Sequence, residues 1–225
     1  MLFRSGALAL LREDALTQAP KLFAAKCSSC HSYDGHDGLG VALADPQSAA
    51  DLKGWGSREW LRGFMDPTLI QTPRWWGGTA FVHPPKGKDR SSMVDYVLED
   101  IPKFTDPVKK RFAAAIVALS AEAALPAQRE ADARDTALIE EGRKDIISPE
   151  VNCTDCHLFR DEGGGKGPDL TGWASRAWTI EFIANPAHKR FYGRRNDRMP
   201  AYGERQELSE RQIEMIADWL RGAVK

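Results

Sequence analysis

Cys27-Ser28-Ser29-Cys30-His31 and Cys153-Thr154-Asp155-Cys156-His157 repeat one pentapeptide pattern 126 residues apart. A Cys-x-x-Cys pair by itself supports three chemistries: a redox dithiol, half of a tetrathiolate zinc site, or the anchor of a covalently held cofactor. The chain holds four cysteines, and all four fall in these two motifs. A disulfide framework would scatter its cysteines to tie distant segments together. Both pairs are therefore committed to one local chemistry.

The His directly after each second Cys narrows the choice. C-x-x-C-H is the pattern of c-type haem attachment: two thiols add to the haem vinyl groups, and the adjacent imidazole takes one face of the iron. A redox dithiol needs a βαβ setting, and the surrounding chain reads as helical. A zinc ion shared by the two pairs would give neither pentapeptide a reason to carry its own downstream pattern. The expected cofactors are two covalently attached haem c groups, with Cys27, Cys30, Cys153 and Cys156 as anchors and His31 and His157 as iron ligands.

The ligand on the other face of the iron decides the chemistry. Methionine there suits electron transfer and raises the reduction potential, whereas an open position suits peroxide or small-molecule chemistry. Met199 lies 42 residues after His157, in a Gly/Asn/Pro-rich loop where a core methionine is less expected. Met93 follows His31 by 62 residues at the matching place in the pattern. His83 is its main alternative and would give a bis-His iron of lower potential. Met65 is a further rival, but it aligns with Ile183 as a core residue, and His36 and His188 read as surface or pocket-edge residues. Trp55 and Trp173 are candidates to pack on haem and offer an indole N–H to a propionate. Arg58 and Arg176 read equally as propionate partners or as surface arginines.

These residues sit in a duplicated framework. Asp51–Trp60 and Asp169–Trp178 agree at seven of ten positions. Phe64 is then matched by Phe182, Trp75-Trp76-Gly77 by Phe191-Tyr192-Gly193, and Met93 by Met199, and each copy closes on an apolar-periodic helix. The last helix opens with Ser209 and Gln212, a capping box, followed by Ile213, Ile216, Ala217 and Leu220 on one stripe. Its counterpart starts near Asp106, with Pro107 in the first turn and a stripe of Val108, Phe112, Ala115, Ile116 and Leu119. Short helices are expected before each pentapeptide, from Pro20 to Lys26 and from Thr136 to Lys144. Ser57 and Ser175 are placed to cap two more. The one β-like stretch is Thr79 to Val82. The fold expected is all-α: two small tandem domains, 17–121 and 136–225, joined by a helical linker at 122–135. Domains this small bury little apolar surface, and a large bound cofactor would help to hold them.

The formal net charge of −1 gives no reason to expect nucleic acid as a partner. No apolar run approaches the roughly 20 residues that span a bilayer. The apolar run from Ala7 to Leu11 is stopped by Arg12, Glu13 and Asp14, and makes a poor signal core.

Taken together, the two C-x-x-C-H motifs, Gly167-Pro168-Asp169-Leu170-Thr171-Gly172-Trp173 and Asn196-Asp197-Arg198-Met199-Pro200-Ala201-Tyr202-Gly203 resemble the class I cytochrome c family, duplicated as a dihaem protein. The resemblance covers most of residues 17–225 and implies two cytochrome c-like domains. It also implies that the Pro168 carbonyl accepts from Nδ1–H of His157 and orients that ring. The first copy has Ala49-Ala50 where the second has Gly167-Pro168, which leaves its orienting carbonyl in question. Residues 10–38, Asp51–Leu61 and Leu119–Asp135 are further similar to the C-terminal dihaem extension of cytochrome b subunits in some bacterial bc-type quinol oxidoreductases. That likeness implies a membrane cytochrome b part upstream, of which this chain would be the tail. It implies an exocytoplasmic location tethered to the membrane, and redox proteins as partners. The expected role is relay of electrons from quinol oxidation. The alternative is a dihaem enzyme of peroxidase or thiosulfate-oxidising type with one open or exchangeable haem ligand.

Overall fold

A computed structural model describes Gly6, Leu11, Arg12 and residues 14–44, 47–196 and 198–223. Residues 7–10, which carry most of the N-terminal apolar run, lie outside the described residues. Helix α1 (Ala15–Lys26) begins where the Asp14 carboxylate accepts from the Thr17 N–H at 2.9 Å. That cap moves the start upstream of the expected Pro20 and leaves the proline inside the helix, at the cost of one backbone hydrogen bond. Ala19 and Phe23 are fully buried on its inner face.

The expected serine caps form in both copies. Ser57 accepts from Trp60 N–H (3.0 Å) to start α2 (Arg58–Phe64). Ser175 accepts from Trp178 N–H (3.2 Å) to start α7 (Arg176–Ala184). Between these lie α3 (Ser92–Asp95), which runs on through a π turn at Tyr96–Asp100, and α4 (Asp106–Glu122) with Pro107 in its first turn. The linker is helical, as α5 (Arg129–Arg134), and leads into α6 (Thr136–Ile146). The last helix, α8 (Glu210–Leu220), carries the complete Ser209/Gln212 capping box. A two-residue hairpin, β1 (Leu158–Phe159) with β2 (Glu162–Gly163), follows the second pentapeptide. Thr79 to Val82 is a turn instead of a strand. The Thr79 hydroxyl accepts from Phe81 N–H (3.2 Å) and its carbonyl from His83 N–H (3.0 Å), a local bonding pattern that displaces sheet pairing.

Helix α4 is buried over more than the expected stripe: Phe112 and every residue from Ala114 to Ser120 are enclosed. The reason is that α4 has α2 against it on one side and α6 on another, so water is kept from it over Ala114–Ser120. At the α4–α6 crossing, a side chain on Gly142 would collide with the Ala114 carbonyl. The helix backbones touch there because Gly142 has no Cβ.

Two helix pairs cross between the sequence copies, whereas α2 stays on α4 and α7 on α8 within a copy. Helix α1 packs on α8, and α4 packs on α6, so the first helix of each copy lies on the final helix of the other. Polar clasps reinforce these contacts. Arg111 on α4 donates to the buried Asp145 carboxylate on α6 at 2.6 Å. Glu122, at the end of α4, receives Arg143 (3.2 Å), Arg160 (2.9 Å) and the Gly172 N–H (3.1 Å). Buried Arg221, just past α8, donates to the carbonyls of Ala123 (2.7 Å), Ala124 (3.3 Å) and Ala174. The boundaries 17–121, 122–135 and 136–225 thus follow the sequence repeat, whereas the packing crosses them.

Candidate haem sites

Each C-x-x-C-H is a single helical turn. After α1, His31 N–H donates to the Cys27 carbonyl at 2.9 Å, and after α6, His157 N–H donates to the Cys153 carbonyl at 3.0 Å. The four thiols are free and partly buried. Burial pushes the thiols of Cys27 and Cys153 up to about 12, with the neighbouring Cys30 and Cys156 adding to it. Both therefore stay as S–H.

Both imidazoles are held in the same way. His31 Nδ1 lies 2.8 Å from the Ala50 carbonyl oxygen, and His157 Nδ1 lies 2.7 Å from that of Pro168. A carbonyl only accepts, so the proton sits on Nδ1 and the Nε2 lone pair is left for a metal. Burial lowers both imidazole pKa values, which also favours the neutral, ligating form. The question raised by Ala49-Ala50 is answered here: the bond uses a backbone oxygen, and Ala50 stands at the aligned position just before Asp51.

The Asp-Leu-x-Gly-Trp loops deliver these carbonyls. The buried Asp51 carboxylate accepts from Ser32 Oγ (2.7 Å), Gly35 N–H (2.9 Å) and Lys53 N–H (2.8 Å), fastening the loop to the residues just after His31. The Trp60 indole donates to the Asp51 carbonyl and the Trp178 indole to that of Asp169, both at 2.9 Å. On the second site, a Cβ on Gly167 would fall inside contact distance of the His157 ring, so only glycine lets the ring lie there.

Each methionine shares its apolar cluster with a cysteine of the opposite copy. Met199, whose carbonyl accepts from Asn196 Nδ2 at 2.9 Å, packs with Cys27 against a cluster of Phe23, Ile183, Tyr202, Ile213 and Ile216. Met93 packs with Cys153 against the cluster built on α2, α4 and α6. Met65 closes the end of α2 and lines a small apolar cavity with Leu61, Phe112, Ile116, Ile146 and Cys153. His83 and His188 are exposed, and His36 Nδ1 accepts from Gly38 N–H at 2.9 Å.

The Trp55 and Trp173 rings lie 4.9 Å apart, centroid to centroid, where the two loops meet. Among the described residues neither indole N–H has a protein acceptor, which leaves both available to a propionate. The arginines are engaged elsewhere: Arg58 with Asp132 (2.7 Å) and Asp135 of the linker, Arg176 with Asp218 (2.6 Å) of α8.

Two tyrosines at these sites escaped the sequence reading. Tyr96 donates to the Val151 carbonyl at 2.6 Å, and Tyr202 donates to that of Lys26. Burial raises both phenol pKa values, that of Tyr202 to about 12, with the nearby Cys153 adding at Tyr96 and Cys27 and Cys30 adding at Tyr202. The signal was present as Met-x-x-Tyr at 93–96 and at 199–202.

The donor set fits a covalently bound haem at each pentapeptide: two thiols on one turn, an imidazole with Nε2 free, and apolar surroundings. The helical fold with its minimal sheet is consistent with a cytochrome c-like fold. Residues 137–220 match the family model described as Cytochrome C oxidase, cbb3-type, subunit III. The match spans the second pentapeptide and Met199, and supports a cytochrome c family with covalently bound haem c and a role in electron transfer. No curated protein and no solved structure matches the chain.

Proposed function

We propose that this chain is a dihaem c-type cytochrome module that relays electrons from a quinol-oxidising membrane complex to a downstream redox protein. The observation that carries the reading is that the Cys/Cys/His/carbonyl constellation is built twice, with equivalent bonds at Ala50 and Pro168. Bound haem c supplies a one-electron iron couple at each site. Cys27 and Cys30, and Cys153 and Cys156, fix each group covalently. His31 and His157 present Nε2 in a fixed orientation, and Met93 and Met199 would supply a second protein ligand for each group. Trp55 and Trp173 offer indole donors to the propionates, and the apolar clusters around Cys27 and Cys153 exclude water. Haem is joined to this motif after export, so the module works on the exocytoplasmic side. The likeness to cytochrome b extensions supports a membrane partner. Among the described residues no helix is long and apolar enough to cross a membrane.

Export-competent expression, with mass spectrometry and magnetic circular dichroism, tests this. Two covalent haems per chain, both low-spin and inert to carbon monoxide when reduced, are expected. A single haem, or carbon monoxide binding at either site, would overturn the relay reading; the latter would favour a dihaem enzyme.

A further inference from the structure

We propose that each iron is ligated from both sequence copies, with His31 opposite Met199 and His157 opposite Met93. The inference rests on the haem reading above and assigns its ligands. Three sets of contacts carry it, and each occurs twice.

The first set is the helix pairing. Helix α1, which leads into Cys27, lies on α8, which follows Met199; helix α6, which precedes Cys153, lies on α4, which follows Met93. The second is the Met-x-x-Tyr bond. Tyr202, three residues after Met199, donates to the carbonyl of Lys26, the residue before Cys27. Tyr96, three residues after Met93, donates at 2.6 Å to the carbonyl of Val151, two residues before Cys153. One hydrogen bond is thus repeated at both sites, and each time it ties a methionine turn to the other copy's cysteine turn. The third is side-chain packing. Cys27 shares its cluster with Met199, and Cys153 shares its cluster with Met93. Around Cys27 the two copies are further joined by the Lys26–Glu207 ion pair (3.6 Å) and by Tyr33 stacked on Trp219 at 4.2 Å.

The point of exchange is visible. Up to Asp51 and Asp169 each copy serves its own histidine, because Ala50 and Pro168 bond His31 and His157. Immediately afterwards the loops meet: Trp55 lies against Trp173, and a Cβ on Gly56 would come within 3.0 Å of the Ala174 Cβ. Beyond this meeting point, the methionine turn and final helix of each copy pack at the opposite site. Both methionines of the first copy, Met93 and the cavity-lining Met65, therefore lie on the Cys153 side.

The test uses full-length holo-protein in which Cys27→Ala/Cys30→Ala leaves haem only at Cys153/Cys156, and the reciprocal Cys153→Ala/Cys156→Ala protein. With haem only at the second motif, Met93→Ala removes the methionine–iron charge-transfer band, while Met199→Ala and Met65→Ala leave it. With haem only at the first motif, Met199→Ala removes it and Met93→Ala does not. Reversed dependences would overturn the crossed ligation, and loss of the band in Met65→Ala would overturn the assignment of Met93. Absence of covalent haem from the parent protein would instead defeat the haem reading itself. A second measurement needs no variant. Carbodiimide treatment of dilute wild-type monomer should yield a tryptic peptide joining Lys26 to Glu207. Its absence, with both peptides recovered unmodified, would overturn the exchange.

Discussion

Gly167 is the residue on which the second site is most sensitive to a single atom. Its missing side chain is what lets the His157 ring lie against the backbone and reach the Pro168 carbonyl. Gly167→Ala should therefore displace the imidazole and cut haem attachment at Cys153/Cys156 severalfold, while Cys27/Cys30 keep theirs; peptide mass spectrometry reads the two sites separately. Asp51 gives a pH prediction. Its burial alone would raise its pKa, but hydrogen bonds from Gly35, Ser32 and Lys53 outweigh this and hold it below the ordinary 3.8. The stabilisation is thus complete above 3.8 and is lost as pH falls through the lowered folded value. Urea melts should show Asp51→Asn less stable than wild type at neutral pH, with the gap closing in acid. At this scale the cysteines and histidines stand out by their types and spacing, whereas Pro168 entered only through the resemblance to class I cytochromes c. Ala50 does not stand out, since the bond uses an oxygen that every residue possesses. Tyr96 and Tyr202 were overlooked because a tyrosine near a core is ordinary until its acceptor is known.

At the level of elements, the α4–α6 crossing depends on Gly142. Adding a methyl group there forces it against the Ala114 carbonyl, and overpacking of this kind costs about 1–3 kcal/mol. Gly142→Ala should lower the denaturation midpoint accordingly. Tyr96→Phe removes one hydrogen bond and leaves the Val151 carbonyl without its phenol donor, a loss of about 0.5–1.5 kcal/mol by the same melt. The helices with chemical punctuation were legible: the Ser57, Ser175 and Ser209 caps start helices where the sequence places them. The start of α1 was misread because Pro20 is a strong helix signal and Asp14 a quiet one. Thr79 to Val82 is β-like only in composition, and forms a tight turn because Thr79 bonds its own neighbours.

For the whole molecule, the duplication was plain in the sequence, but the partners of its helices were not. Each copy contains a first helix and a final helix of matching character, so closing within a copy and closing across copies satisfy the same apolar pattern. The discriminating contacts are long-range ones, such as Arg221 with Ala123 and Glu122 with Gly172, and no local periodicity encodes them. Because the clusters around Cys27 and Cys153 each draw on both copies, neither copy can melt without opening both. Unfolding should accordingly be one cooperative transition, with fluorescence and far-ultraviolet dichroism superimposing; two resolved transitions would refute that.

The crossed pairing of α1 with α8 and of α4 with α6 also sets a timetable for biosynthesis. A ribosome makes α4, α5 and α6 almost back to back, so the contacts around Cys153 can close as soon as that motif is made. Helix α1 and Cys27 are made before these, yet their packing partner is α8, the last helix among the described residues. Of the two motifs, the one made earlier is thus enclosed later, and its thiols stay exposed until α8 has been made and has folded back onto α1.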